Sequence, residues 1–258
     1  MMKKLSISGI SYAYFEDDVI SEIEMSVGQG EFVGIIGGNG SGKSTILKCI
    51  YGALRPKGGE ILLDGKNLSK QSVKEIAKQV AVVGQENELT FDFSVKEMVA
   101  MGRHPHKKLF EPDTPEDKAI IAEALETVAL TELQDRNFRN LSGGEKQRTL
   151  IARAIAQQAD FLILDEPTNH LDICFQLQVF ETVRKLGVTV LSAMHDLNLA
   201  ALFCDRIYIL KDKGVYISGT PTELLTSELI YDVFGVRADV QIHAETGRPS
   251  VTYIPKTI

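Results

Sequence analysis

The chain has 258 residues, of which 44% are hydrophobic and 24% are charged, a globular composition that excludes disorder of the whole chain. Lysine and arginine number 28 against 35 aspartate and glutamate residues, and the net charge of -7 excludes the overall basic field typical of nucleic-acid-binding proteins. The 3 cysteines are far apart and have no metal-ligand spacing, which favours a reduced, cytosolic setting.

The opening segment MMKKLSISGI contains lysines but no apolar stretch or cleavage site of the kind that secretion signals carry, so we expect no export. No apolar run approaches the roughly 18 residues that a membrane-spanning helix needs. We therefore expect a soluble protein that reaches a membrane only through a partner.

Short apolar runs alternate with helical patterns along most of the chain. Strands are predicted over residues 5–10, 31–36, 60–63, 80–83, 161–164, 188–192 and 207–210. Helices are predicted over residues 44–51, 116–129, 144–157 and 175–186. This alternation predicts an α/β fold with a parallel sheet, because strands that are apolar throughout are covered on both faces. The N-terminal strand–turn–strand pattern, residues 5–27, adds an antiparallel β portion.

Two segments depart from this alternation. Residues 86–140 are mostly helical, and we interpret them as a helical subdomain inserted in a core formed by about residues 1–85 and 141–235. Residues 236–258 alternate apolar and polar positions on either side of a turn, which predicts a closing hairpin. Together, residues 1–258 are predicted to form a single domain.

A glycine-rich loop follows the apolar run at residues 31–36. It matches the phosphate-binding pattern G-x-x-x-x-G-K-[ST], with the required strand before it and helix after it. The candidate ligand residues are Gly37, Gly38, Asn39, Gly40, Ser41, Gly42, Lys43, Ser44 and Thr45. Backbone N–H groups would form an anion cradle, Lys43 would supply charge to the β- and γ-phosphates, and the Ser44 hydroxyl would bind Mg2+. The loop predicts a P-loop nucleotide-binding protein.

A second apolar run, residues 161–164, ends in two carboxylates, Asp165 and Glu166. A buried strand would deliver Asp165 to the floor of the site, where it would hold Mg2+ directly or through water. Glu166, one residue further, would orient and polarise the water that attacks the γ-phosphate. Beside a phosphate loop, this pair predicts an ATPase.

The string Leu141-Ser142-Gly143-Gly144-Glu145 begins a predicted helix whose N-terminus can bind anionic oxygens. It resembles the signature of ATP-binding cassette (ABC) proteins, and its order relative to the other motifs agrees with that family. The resemblance implies a cassette with a RecA-like P-loop core, an antiparallel β portion and a helical subdomain. It also implies ATP and Mg2+ as cofactors.

The resemblance assigns roles to further residues. Tyr14 matches the aromatic residue that stacks on adenine, with Tyr12 as a rival. Gln85 matches the glutamine that contacts Mg2+ and the attacking water, and His195 matches the switch histidine at the γ-phosphate. Asp172 matches the carboxylate of the loop that contacts the opposite subunit.

The resemblance further implies a homodimer that closes head to tail on two ATP molecules. Ser142, Gly143, Gly144 and Glu145 would bind the nucleotide held by the other subunit's phosphate loop. Membrane permease subunits would contact the helical subdomain, an extracytoplasmic substrate-binding protein would act indirectly, and no nucleic-acid partner is expected. The chain would lie peripherally on the cytoplasmic side of the membrane. It departs from the family at Gly38, where relatives often carry proline.

Four short sequence strings indicate which class of ABC protein this chain resembles. Met101–His106 resembles the G-R-x-P-H string of importers for ferric siderophores, haem and cobalamin, and residues 167–173, 195–200 and 245–249 resemble the same group. They favour an ATPase of a ferric-siderophore importer. Haem, cobalamin, and zinc or manganese importers are the alternatives. Non-transport ABC ATPases of DNA repair or of the ribosome are disfavoured, because there is no sustained heptad run, second cassette or basic linker.

Overall fold

The structure is a computed structural model that describes residues 2–15, 17–84, 92–108, 111–169 and 171–255. The chain divides into two compact units. The first combines Met1–Gln71 with Thr189–Ile258, and the second is Ser72–Val188. Within the described ranges, no helix is both long and apolar enough to cross a membrane.

The elements follow one another along the chain in three groups. The first unit begins with β1 (Lys3–Tyr14), β2 (Asp17–Gly28), β3 (Phe32–Gly37), α1 (Lys43–Ile50), β4 (Gly58–Leu63) and β5 (Lys66–Asn67). The second unit contains α2 (Val73–Ala77), β6 (Val80–Val83), α3 (Val95–Ala100), α4 (Pro115–Thr127), α5 (Gly143–Ala156), β7 (Phe161–Asp165) and α6 (Ile173–Lys185). The first unit ends with β8 (Thr189–Met194), α7 (Leu197–Phe203), β9 (Arg206–Lys211), β10 (Gly214–Gly219), α8 (Pro221–Leu224), α9 (Ser227–Phe234), β11 (Arg237–Ile242) and β12 (Pro249–Ile254). Short 3-10 helices occur at Leu68–Lys70, Met101–His106, Thr131–Leu133 and Phe138–Asn140.

An antiparallel sheet in the first unit holds its strands in the order β2, β1, β4, β5. Leu5 of β1 lies opposite Val27 of β2 on one side and Leu63 of β4 on the other, and all three side chains are buried. This confirms the predicted antiparallel portion. β1 is longer than predicted and reaches Tyr14, because its polar end keeps pairing with β2 as far as Asp17.

The other large sheet portion of the first unit is mostly parallel. β3 pairs in parallel with β8 on one side and β9 on the other, and β10 pairs antiparallel with β9. Every residue of β3 and β8 is buried, as expected for strands that are apolar throughout. The register sets Ile36 opposite Met194, so the residues that follow these two strands lie side by side. The predicted α/β fold is confirmed.

The second unit contains a parallel strand pair and a group of helices. β6 and β7 pair with Val83 opposite Leu164. α3, α4 and α5 each begin with a capping box, in which Ser94, Thr114 and Ser142 are the first members. These boxes fix the helix starts locally. The boundaries proposed for a helical subdomain, residues 86–140, stay a prediction.

The C-terminal segment folds as a hairpin at the place where the sequence predicts one. α9 ends at Gly235, whose φ of 66° is the left-handed conformation that glycine adopts readily at helix ends. β11 and β12 then pair antiparallel, with Val240 opposite Val251. The buried side chains of the hairpin include Ala238 and Val251.

Candidate nucleotide-binding site

The phosphate loop connects β3 to α1 in the first unit, as its sequence predicts. Gly42 caps α1 with a φ of 95°, and Gly40 has a φ of 77°. A Cβ atom at Gly42 would lie 2.3 Å from Ile20 Cγ2 and 3.2 Å from the Val19 carbonyl oxygen of β2. Only glycine therefore fits at this position, both for its backbone conformation and for its approach to β2.

The loop closes around the ammonium group of Lys43. Lys43 Nζ donates to the carbonyl oxygens of Gly37 at 3.0 Å and Gly38 at 3.2 Å, and the residue is only 5% exposed. The charge is thereby held inside the loop at the N-terminal end of α1, which favours an anion there. Ser44 and Thr45 form the first turn of that helix.

The tip of the loop is open. Gly38, Asn39 and Gly40 are exposed, and a Cβ atom added at Gly38 or Gly40 would meet nothing within 4 Å in the described part of the chain. The Ser41 hydroxyl oxygen, in contrast, is buried, and the described residues provide no hydrogen-bond partner for it. An orphaned buried hydroxyl beside an open, positively charged cradle fits a ligand with anionic oxygens. The residues present therefore fit a nucleotide phosphate.

His195 lies beside the start of this loop. It follows Met194, which is paired with Ile36, the residue before Gly37. Asp196 comes next and caps α7, its carboxylate accepting from the backbone N–H groups of the second and third helical residues at 2.7 and 3.0 Å. The parallel register of β3 and β8 is what brings this histidine to the phosphate loop.

Aromatic residues lie at the end of the β1–β2 hairpin, in the same unit as the phosphate loop. Tyr12 lies opposite Ile20, the residue that packs against Gly42. The Tyr12 and Tyr14 rings contact edge to face, with centroids 5.1 Å apart and an interplanar angle of 82°. Tyr14 is 46% exposed and Phe15 is 99% exposed. The more accessible of the two tyrosines is thus Tyr14, while Phe15 is a third candidate for base stacking that the sequence reasoning missed.

The two carboxylates lie at the end of β7 in the second unit. The pairing of Val83 with Leu164 sets Asp165 next to the residue after Val83. Glu166 adopts a left-handed backbone conformation with a φ of 53°, and its carboxylate accepts a hydrogen bond from Asn169 Nδ2 at 2.7 Å. This bond orients Glu166 and was not anticipated from the sequence. Gln85, the predicted partner at this edge, lies outside the described residues.

The signature string opens α5 as predicted, with Ser142 as its N-cap. The Glu145 carboxylate accepts from the Ser142 backbone N–H at 2.8 Å and from its hydroxyl at 2.9 Å. These two hydrogen bonds, the backbone one first, lower the pKa of Glu145. Glu145 is therefore a capping residue in this structure, and Ser142 with Gly143 forms the exposed start of the helix.

The two signature glycines have different surroundings. A Cβ atom at Gly144 would lie 2.8 to 3.0 Å from three ring atoms of Phe175 in α6, whereas one at Gly143 would meet, among the described residues, Leu171 alone at 3.7 Å. Asp172 caps α6 by accepting from the Phe175 backbone N–H at 3.1 Å. Phe175 thus supports both Gly144 and Asp172, a role that only the tertiary structure reveals.

The predicted site residues therefore fall into two groups. The first unit contains the phosphate loop, His195 and the hairpin aromatics. The second unit carries the remaining described candidates, Asp165, Glu166, Ser142, Gly143, Gly144, Glu145 and Asp172. The candidate oxygen donors for Mg2+, a serine hydroxyl and an aspartate carboxylate, are of the type that this hard cation prefers.

The sequence is also similar to those of known proteins. Residues 20–169 match the profile of the ABC transporter family, a segment that spans more than half of the chain. The chain belongs to the ABC transporter family. Its fold is that of the ABC ATP-binding cassette, as predicted from the signature string.

Relatives of this ABC protein include import ATP-binding proteins. The chain is 36% identical over 252 residues to the iron(3+)-hydroxamate import ATP-binding protein FhuC of Bacillus subtilis, covering 96% of this chain and 94% of that protein. It is 36% identical over 255 residues to the cobalamin import ATP-binding protein BtuD of Halobacterium salinarum, covering 97% of this chain but only 64% of that longer protein. A solved structure described as a metal-chelate type ABC transporter in an inward-facing conformation has a TM-score of 0.86 and 28% identity, covering 100% of this chain and 99% of that one.

Gly102 and Arg103, the first two residues of the G-R-x-P-H string of this ABC protein, form a buried junction in the second unit. Arg103 is 6% exposed, and its Nε donates to Asp117 Oδ1 of α4 at 2.9 Å. Its Nη1 donates to the Ala156 carbonyl oxygen at 2.8 Å and to Gln158 Oε1 at 2.9 Å, at the end of α5. A Cβ atom at Gly102 would lie 2.2 Å from the Arg153 carbonyl oxygen. The string therefore ties the C-terminal end of the signature helix to α4.

Proposed function

We propose that this chain is the ATP-hydrolysing subunit of an ABC importer that powers uptake of a ferric siderophore through a membrane permease. The observation that carries the proposal is the phosphate loop closed around Lys43, with His195 beside it through the β3–β8 register. The proposal that the cargo is a ferric siderophore is supported by the name of the Bacillus subtilis relative, an iron(3+)-hydroxamate import protein. It is also supported by the metal-chelate type transporter of similar structure.

Nucleotide binding would use the first unit. The backbone N–H groups of the phosphate loop and the Lys43 ammonium would hold the β- and γ-phosphates, and Tyr14 would stack on the adenine. Mg2+ would be held by the Ser44 hydroxyl, Asp165 and Gln85. When bound, the ion would neutralise charge that develops on the phosphate oxygens.

Hydrolysis would depend on three side chains. Glu166 would orient the attacking water and accept its proton, and Asn169 would hold the Glu166 carboxylate in place through the bond at 2.7 Å. His195, at the end of β8, would contact the γ-phosphate. The left-handed backbone at Glu166 is the kind of strained conformation that clusters at functional sites.

A homodimer would complete each site. Ser142, Gly143 and Gly144, with the α5 N-terminus behind them, would face the nucleotide bound by the second copy, and Asp172 would contact that copy. Glu145 would keep the helix start ordered through its capping box. We propose that residues 86–140 contact the permease, so that the chain lies on the cytoplasmic face of the membrane, and that a substrate-binding protein acts from the far side.

A second cargo has support of its own. The Halobacterium salinarum relative is named a cobalamin import protein, and its identity of 36% equals that of the hydroxamate relative. Cobalamin is therefore the alternative that the same experiment must separate from ferric siderophore.

The test is uptake of radiolabelled ferric hydroxamate by iron-starved cells in which this chain is the only copy of the ATPase. Glu166→Gln should lower the ATP hydrolysis rate of the purified protein by about 10²–10⁴-fold, the usual contribution of a general base, and abolish uptake while ATP still binds. Lys43→Ala should instead weaken ATP binding. The matched control is Glu181→Gln, which removes an exposed carboxylate of α6. Loss of cobalamin uptake with normal iron uptake would refute the siderophore assignment in favour of cobalamin.

A further inference from the structure

The helix that follows His195 is held in place by the C-terminal hairpin. Asn198, in the first turn of α7, uses its side-chain amide for two hydrogen bonds to Val251 of β12. Its Oδ1 accepts from the Val251 backbone N–H at 2.7 Å, and its Nδ2 donates to the Val251 carbonyl oxygen at 3.2 Å. One side chain thus pairs with both backbone groups of a strand residue, as a neighbouring strand would.

This pairing is possible because β12 has one free edge. Among the described residues the hairpin is a sheet of two strands, so β12 pairs with a strand, β11, on one side only. Val251 is 5% exposed, and unpaired backbone groups at such a depth are costly. Asn198 satisfies both of them. A second, longer contact joins Arg248 Nη1 to the Cys204 carbonyl oxygen at 3.5 Å, just after the other end of α7.

The rest of α7 is short and contributes mainly apolar contacts. The helix has 7 residues, a length at which an isolated helix is not stable in water. Two of its buried residues are alanines, Ala200 and Ala201, which offer little apolar surface, and Leu197 and Leu199 supply the remainder. Asn198 adds a polar contact with the hairpin to this apolar burial.

His195 lies between a fixed strand and this helix. On one side, Met194 is locked in the β3–β8 register. On the other, Asp196 caps α7 and moves with it. A displacement of α7 would therefore act on the backbone next to His195.

We propose that Asn198 is a positioning residue, through which the β11–β12 hairpin fixes α7 and so aims His195 at the phosphate loop. This inference rests on the proposed function, in which His195 contacts the γ-phosphate.

The experiment is a double-mutant cycle on ATP hydrolysis by the full chain, with wild type, Asn198→Ala, His195→Ala and the double variant. Asn198→Ala should lower kcat about 10- to 100-fold, the scale of a small misplacement of a catalytic group, with KM for ATP changed less than about twofold. The double variant should match His195→Ala alone, because Asn198 acts through His195. Thr252→Ala, an exposed position next to Val251 on β12, is the matched control and should match wild type.

Two results would overturn the inference while leaving the proposed function intact. One is an unchanged kcat in Asn198→Ala. The other is a double variant slower than His195→Ala by the full factor seen for Asn198→Ala, because that means the two residues act independently. No hydrolysis by the wild type, or no effect of His195→Ala, would overturn the proposed function and this inference with it.

A second readout follows the histidine directly. The chain has 5 histidines, so the imidazole signals in a 1H–13C correlation spectrum can be resolved, and His195→Ala assigns one of them. Asn198→Ala should shift the His195 signal and that of His243, which lies in the hairpin turn. The signals of His104 and His106, in the second unit, should not move. A His195 signal identical to that of wild type would overturn the inference.

Discussion

The buried junction at Arg103 offers a sharp test of how the signature helix is anchored. We consider Arg103→Met, which keeps most of the apolar volume and removes the guanidinium. The substitution deletes the bonds to Asp117, Ala156 and Gln158. It also leaves the carboxylate of Asp117, whose side chain is 8% exposed, without its closest cation.

Removing one partner of a buried ion pair costs about 3–5 kcal/mol. Lys107 Nζ lies 3.7 Å from Asp117 Oδ2 and compensates in part, so we expect a loss at the low end, about 3 kcal/mol. For a chain of this size, that corresponds to a fall in Tm of about 6–12 °C. The matched control is Lys57→Met, which removes the exposed Lys57–Asp18 pair at 3.6 Å and should cost less than about 1 kcal/mol.

The pH dependence of the folding stability provides a second test of the same junction. The hydrogen bond from Arg103, followed by those from Thr114, holds the pKa of Asp117 well below its usual range. A carboxyl whose folded-state pKa is lowered contributes stability above its unfolded value, near about pH 4, and loses it as the pH falls further. The stability gap between wild type and Asp117→Asn should therefore be full at neutral pH and shrink below about pH 4.

Urea unfolding at a series of pH values measures both effects. If Arg103→Met and Lys57→Met shifted the midpoint equally, Arg103 would not be the anchor that its contacts indicate. If the gap between wild type and Asp117→Asn stayed constant down to about pH 3, the lowered pKa of Asp117 would be refuted.

Two further predictions concern the signature glycines and the thiols. Gly143→Ala should stabilise the protein by about 0.5 kcal/mol, because alanine has a higher helix propensity than glycine. Gly144→Ala should destabilise it by about 1–2 kcal/mol, because the new methyl group overlaps the Phe175 ring. Equal urea unfolding midpoints for the two variants would contradict this prediction. Burial raises the pKa of the Cys49 thiol to about 11, while Cys174 is exposed. Maleimide at neutral pH should therefore modify Cys174 and spare Cys49, as peptide mass spectrometry would show; modification of Cys49 in the folded protein would be the contrary result.

Local signals predicted much of the fold and of the site. The phosphate loop is recognisable because its glycines, lysine and serine are consecutive, and β3 and β8 are recognisable because strands buried on both faces are apolar throughout. The capping boxes that start α3, α4 and α5 are equally local, since each joins residues three apart.

The remaining features have no recognisable signal in the local sequence. α7 escaped prediction because seven residues with few polar positions carry no helical periodicity that can be distinguished from a strand. Phe175 packs against Gly144, and Asn198 pairs with Val251. In both cases the two residues are far apart in sequence, so the local sequence around one residue does not indicate the other. The bond from Asn169 to Glu166 spans only three residues, but it depends on the left-handed turn at Glu166, which a glutamate rarely adopts.

The strand that precedes the phosphate loop is synthesised long before the strands with which it pairs. β3 ends at Gly37, yet the strands on both of its sides, β8 and β9, come from residues 189–211. At about 5–20 residues per second, a ribosome needs on the order of ten seconds or more to make the chain between them. During that interval, the nascent chain contains the apolar strand β3 and the phosphate loop, but not the neighbouring strands with which β3 pairs. Pairing over such separations is slow, so β3 forms its sheet late in the folding of this chain.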